Sequence, residues 1–168
     1  MLETLAPLPV DQASQGSLLV ASNVWFGDEA DPARNRASSG EMFRAGESKP
    51  RALVVDDAPD IVEMLAMFLR NRGYEVSTAP SAPAALDAAR DRQFDVIVSD
   101  IGMPGMNGYE LAEALRALPD YSGALMIAVT GFGMYDNRER ALQSGFDAFL
   151  TKPLNPTALI EIIESLRG

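Results

Sequence analysis

From residue 51 onward two hydrophobic periods alternate along the chain. Short aliphatic runs, each stopped by polar or turn-forming residues, are followed by stretches in which apolar residues recur every three to four positions. The runs are Ala52–Val55, Val96–Val98, Ala124–Val129 and Ala148–Thr151, with an alternating segment over Tyr74–Ala79. The helical stretches are Asp60–Arg72, Ala82–Arg92, Tyr109–Leu118, Asp136–Ser144 and a last one that follows Asn155. In the first of these, Ile61, Met64, Leu65, Phe68 and Leu69 share one face; in the last, Leu159, Ile162, Ile163 and Leu166 do. Ser81, Asn107 and Asn155 stand where helix N-caps belong, and Gly73 and Gly145 where helices stop.

A continuous run such as Val96-Ile97-Val98 suits a strand buried on both faces of a parallel sheet. Five strand–helix units with short connections and right-handed crossovers give an α/β fold. The expected form is a flavodoxin-like, doubly wound, five-stranded parallel sheet of order 2-1-3-4-5. Residues 1–50 stand apart as an irregular N-terminal extension. Leu18–Phe26 has the composition of a strand, whereas Gly27–Pro50 is rich in Gly, Ser, Pro, Asp and Arg without apolar period and reads as a flexible linker.

Composition narrows the function classes. A net charge of −10, spread along the chain, argues against direct binding of nucleic acid. The absence of cysteine removes disulfides and thiolate metal sites. The absence of histidine removes histidine acid–base catalysis and a phosphohistidine within this sequence. No signal-peptide pattern opens the chain and no apolar run approaches a membrane span, so the expectation is a cytoplasmic protein with no membrane insertion.

The chemistry gathers at strand ends. The runs finish in Asp56-Asp57, Asp100, Thr130 and Lys152, and in a parallel sheet all carboxyl ends lie on one edge. Three carboxylates brought together repel one another and need cations. Lys152 supplies one: of the 14 basic residues only Lys49 and Lys152 are lysine, and a chain that covers its solvated faces with Arg has a Lys at a strand end. A hard divalent ion held by oxygen ligands, Mg²⁺ in so open a site, supplies the remainder. Taken singly, each group also has an ordinary structural reading: Asp56-Asp57 as a turn with Asp60 capping the next helix, Thr130 as a strand end, Lys152 as a surface residue.

As a set, VVDD at 54–57, SDIGMPGMNGYEL at 99–111, VTGFG at 129–133 and FLTKP at 149–153 resemble the receiver domain of bacterial two-component response regulators, over residues 51–168. The resemblance implies that Asp100 is the phosphoacceptor. It implies that Asp57, Asp100 and the backbone carbonyl of Gly102 bind Mg²⁺, with Asp56 acting mostly through metal-bound water. Thr130 and Lys152 contact the phosphoryl group, Thr130 and Phe149 form the switch, and Lys152-Pro153 is a cis bond. The implied partners are a histidine kinase or histidine phosphotransfer protein and a downstream protein target. Whether the sequence is a stand-alone receiver or the receiver of a hybrid kinase stays open.

Other classes are weighed against this. A Mg²⁺-dependent phosphohydrolase with an Asp nucleophile would want an acid–base Asp two residues after the nucleophile, where Gly102 stands. A flavin binder would want a Ser/Thr/Gly phosphate loop where Asp56-Asp57-Ala58-Pro59 stands. A phosphorylation-independent docking module would not need every chemical position filled. On the resemblance, Gly102 and Phe132 flank the approach of hydrolytic water; neither can orient a water, so slow self-dephosphorylation is expected.

Overall fold

The computed structural model describes residues 24–26, 48–131 and 138–168. The elements run β1 (Val24–Phe26), β2 (Arg51–Val55), α1 (Pro59–Asn71), β3 (Glu75–Ala79), α2 (Ala82–Asp91), β4 (Val96–Asp100), α3 (Gly108–Arg116), a 3₁₀ turn (Pro119–Tyr121), β5 (Leu125–Thr130), α4 (Arg138–Ser144), β6 (Ala148–Thr151) and α5 (Pro156–Arg167). The sheet order is β1-β6-β5-β4-β2-β3. Its five parallel strands therefore have the expected 2-1-3-4-5 arrangement.

The aliphatic runs are continuous because both sheet faces are covered. Along β2, Leu53 and Val55 enter one core with α2 and α3, while Ala52 and Val54 enter the other with α1 and α5. Ile97 divides from Val96 and Val98 in the same way on β4. Each fully buried Leu or Ile contributes about 1.5–3 kcal/mol relative to exposure, and this fixes the helices more firmly than their propensities do. Among the described residues, no helix is long and apolar enough to cross a membrane.

The caps stand where the sequence puts them. Ser81 Oγ accepts from the Ala84 amide, Asn107 and Glu110 form a reciprocal capping box, and Asn155 Oδ1 accepts from the Thr157 amide. Gly73 takes a left-handed φ of 92° after α1. The third helix stops at Arg116 rather than Leu118, because Leu118 precedes Pro119 and is held extended at ψ 134°. Asp136 and Asn137, the expected start of α4, lie outside the described residues.

Two features go beyond the expectation. Within the N-terminal extension Val24–Phe26 forms a sixth strand, antiparallel to β6, pairing Val24 with Leu150, Trp25 with Phe149 and Phe26 with Ala148. The rest of the Leu18–Phe26 run lies outside the described residues. Arg116, at the end of α3, donates to the carbonyls of Gly145 (2.9 Å), Tyr121 (2.7 Å) and Ala124 (2.8 Å) and to Asp147 Oδ2 (2.8 Å). One guanidinium thereby joins the approaches to β5 and β6.

Candidate functional site

Four strands deliver their polar ends to one edge. β2 runs out at Val55, and Asp56 follows. The Asp56 amide donates to the Ala79 carbonyl (3.3 Å), and Asp56 Oδ1 accepts from the Ala58 amide (2.9 Å). Asp56, rather than Asp60, thus closes the turn into α1, whose Ala58 N-cap has no side-chain partner. Asp100 is the last residue of β4, and the Gly102 amide lies 3.4 Å from its Oδ1. Thr130 ends β5, with its hydroxyl donating to the Gly131 carbonyl (3.0 Å). Lys152 follows β6 directly, with its amide donating to the Thr130 carbonyl (2.7 Å).

The side chains converge. Lys152 Nζ lies 3.2 Å from Asp56 Oδ2 and 3.5 Å from Asp100 Oδ1. Asp56, Asp57 and Asp100 each offer a carboxylate oxygen within 4.8 Å of the others. Asp56 and Asp100 are only 3% and 5% exposed, so water screens them poorly, whereas Asp57 opens to solvent. Burial and the neighbouring Asp56 charge push the Asp100 carboxyl up from its ordinary value, against the pull of Lys152 and of the Gly102 and Ile101 amides. For Lys152 burial works downward, but the Asp100 and Asp56 charges outweigh it and the ammonium is held more firmly than usual.

Three carboxylates against one ammonium leave two negative charges without a cation. Oxygen donors of this kind, at this spacing, with one member facing solvent, fit a hard divalent ion. A cleft of about 290 Å³ opens beside Asp56 and Asp57, between α1 and the end of β3, with Glu63, Arg70 and Pro80 on its walls. The structure thus brings together Asp56, Asp57, Asp100, Thr130 and Lys152.

The other expected residues stand around this cluster. Gly102 follows Asp100 with open space where a side chain would project. Phe149 is half-buried against the core shared with α2 and α3, two residues before Thr151, which is the register partner of Thr130. The Lys152-Pro153 bond is cis. Phe132 lies outside the described residues. One residue was not singled out from the sequence: a Cβ on Gly108 would run into the backbone of Asp100 and Ile101. Its only sequence signal is a Gly directly after the Asn107 cap.

Comparison with known proteins agrees with this geometry. Residues 52–164 match the model of the response regulator receiver domain. An uncharacterized 14.6 kDa protein of Leptolyngbya boryana is 39% identical over 112 residues, 67% of this chain and 86% of that one. The sensor protein GacS of Pseudomonas syringae is 34% identical over 122 residues; that match takes in 71% of this chain but only 14% of GacS. The solved chemotaxis response regulator CheY4 of Vibrio cholerae superposes with a TM-score of 0.67 at 32% identity, covering 71% of this chain and 99% of that one.

Proposed function

Because the chain belongs to the response regulator receiver domain family, whose members are two-component signalling modules, we propose that it accepts a phosphoryl group on Asp100 from a phosphohistidine of a partner kinase or phosphotransfer protein. The observation that carries this is the cluster itself: a buried carboxylate at a strand end, 3.5 Å from an ammonium and beside two further carboxylates.

A carboxylate oxygen of Asp100 attacks phosphorus. The new O–P bond forms as the P–N bond to the partner's imidazole breaks, and the imidazole leaves with the electron pair and takes its proton from solvent. Lys152, already tied to Asp56 and Asp100, follows the charge onto the phosphoryl oxygens. Asp57 and Asp100, the Gly102 carbonyl and the adjacent Asp56 would hold Mg²⁺. When bound, the ion neutralises the carboxylates and the phosphoryl oxygens in the transition state. The Thr130 hydroxyl gives up its bond to the Gly131 carbonyl and turns to the phosphoryl group. The acyl phosphate adds about −1.5 to −2 charge at this edge. Phe149 shifts with Thr130, and the surface around β6 and α5 passes to a second state that a downstream protein reads.

Incubation with acetyl phosphate and Mg²⁺ tests the reading. The expected result is one added, hydroxylamine-labile phosphoryl group in the intact mass, mapped to Asp100. Steady turnover of phosphodonor without a stable adduct would favour the phosphohydrolase. No adduct at all would leave a phosphorylation-independent docking module.

Two further outcomes bear on the residues around Asp100. Asp57→Ala removes the solvent-facing carboxylate and should weaken Mg²⁺ binding by about tenfold or more, about 1.4 kcal/mol, in a calorimetric titration; an unchanged isotherm takes Asp57 out of the metal site. Self-dephosphorylation should take minutes to hours. A side chain at Gly102 would meet no atom within 4 Å, so Gly102→Asn fits and can hold a water near phosphorus. With Phe132→Glu it should shorten the lifetime at least about tenfold, short of the full effect of a well-positioned general base. A wild-type lifetime of seconds contradicts this.

A further inference from the structure

The geometry points to β1 as a latch on β6 that opens when Asp100 is phosphorylated, an inference that rests on the phosphoacceptor reading of Asp100. β1 lies outside the receiver match, which begins at residue 52. It stands outside the part of the chain that matches the family, and it occupies one particular place. β6 has β5 on one side and β1 on the other. Without β1, β6 would end the sheet and present an open row of backbone donors and acceptors. With β1, three of its four residues, Ala148, Phe149 and Leu150, are paired.

β6 also runs directly into the chemistry. Lys152, whose Nζ contacts both Asp56 and Asp100, is the next residue after it. The Lys152 amide is bonded to the Thr130 carbonyl, and Thr151 is the register partner of Thr130. Phe149, the centre of the β1 pairing, is three residues from Lys152. A rearrangement that draws Lys152 and Thr130 toward a phosphoryl group acts on the end of a strand only four residues long.

Pairing this short has little free energy in reserve. β1 has three residues and, among the described residues, a partner on one side only. Edge segments of this kind open locally at low cost, and a small bias at their partner strand decides their occupancy. β1 is fitted in register to this course of β6. A shifted β6 loses the fit, and β1 leaves. The N-terminal extension would then report the state of Asp100, and by linkage would resist it.

Hydrogen exchange on the full chain tests this, with beryllium trifluoride and Mg²⁺ as a reversible phosphoryl mimic. In the unliganded chain, those amides of residues 24–26 that face β6 should be protected. With the mimic bound, their exchange and that of residues 148–150 should rise at least about fivefold, the lower end of ordinary coupling. Residues 96–100, in the middle of the sheet, should not change. Successive N–H groups of a strand point to opposite edges, so one of Trp25→Pro and Phe26→Pro removes a ladder donor. That variant should show open β1 without the mimic and should bind the mimic more tightly by the same factor. Bound mimic with unchanged or increased protection at 24–26 overturns the latch and leaves Asp100 as phosphoacceptor. The absence of any protected amide among residues 24–26 in the unliganded chain also overturns it. Failure of both the mimic and acetyl phosphate to engage Asp100 removes the phosphoacceptor reading, and the latch with it.

Discussion

Asp100→Asn should abolish phosphoryl acceptance and, in a chelator, make the protein more stable. The amide has no carboxylate oxygen to attack phosphorus, so no hydroxylamine-labile adduct should rise above background with acetyl phosphate. The stability gain follows from what Asp100 endures. It is 5% exposed, beside the equally buried Asp56, and burial with that like charge raises its carboxyl pKa despite Lys152 and two backbone amides. The unfavourable influences outweigh the favourable ones, so a neutral amide of the same shape relieves a net cost. Lys152 keeps its bond to Asp56. The gain should be about 1 kcal/mol, the common scale for single substitutions, raising Tm by about 4 °C. Its pH dependence has a definite sign. A carboxyl whose pKa is higher folded than unfolded holds its proton longer in the native state. Stability therefore falls as pH rises from the ordinary value of 3.8 through the raised value, and is level above it. The variant lacks that fall, so its advantage should vanish in acid and be complete at neutral pH. Mg²⁺ should narrow the gap by stabilising the wild type more. A labile phosphate on the variant refutes the assignment of Asp100. Equal melting in chelator refutes the electrostatic account of its environment.

The fold and most of this cluster were legible because their signals are periodic or terminal. Val96–Val98 is apolar at every position, which suits a strand covered on both faces, and the parallel order then places Asp56, Asp100, Thr130 and Lys152 on one edge whatever the details of packing. Ser81, Asn107 and Asn155 were legible as caps because their short side chains satisfy helix N–H groups locally. Other features depend on contacts between distant residues, which periodicity does not encode. Arg116 looks like any arginine at the end of an amphipathic helix; its partners Gly145 and Asp147 lie 29 and 31 residues away. Val24–Phe26 has strand composition, yet nothing in three residues names β6 as the partner. Asp60 was the plausible cap for α1, but Asp56 reaches the Ala58 amide first, because the turn folds back on the strand end.

Gly108 is the case in which local propensity and tertiary contact disagree, and Gly108→Ala should be among the most damaging single changes near the site. Gly108 is the first residue of α3, where alanine is favoured over glycine by up to about 1 kcal/mol in a helix interior. Propensity alone predicts a stabilised protein. Yet the added Cβ would collide with the Asp100 carbonyl oxygen and come within 2.7 Å of Ile101 Cα and 3.1 Å of the Asp100 carbonyl carbon. These are backbone atoms and have no rotamer to escape into. Nor is the helix free to withdraw: the Asn107–Glu110 capping box fixes its start, and Leu111, Ala112 and Leu115 are all fully buried. The Gly108 amide also bonds the Ile101 carbonyl at 3.0 Å, locking helix and loop together. Overpacking against such a frame costs about 1–3 kcal/mol or more, enough to outweigh the propensity gain and lower Tm by several degrees. What yields is the end of β4, so Asp100 moves relative to Lys152 and Asp57. A displacement of about 1 Å at a reacting group can cost about a hundredfold in rate. Gly108→Ala should therefore melt earlier and, at a temperature where it is folded, accept phosphate from acetyl phosphate at least about tenfold more slowly. Gly123→Ala, whose Cβ would meet nothing within 4 Å, serves as the control and should match the wild type in both measurements. Wild-type melting and wild-type phosphorylation in Gly108→Ala would mean that the close approach of α3 to Asp100 does not position it.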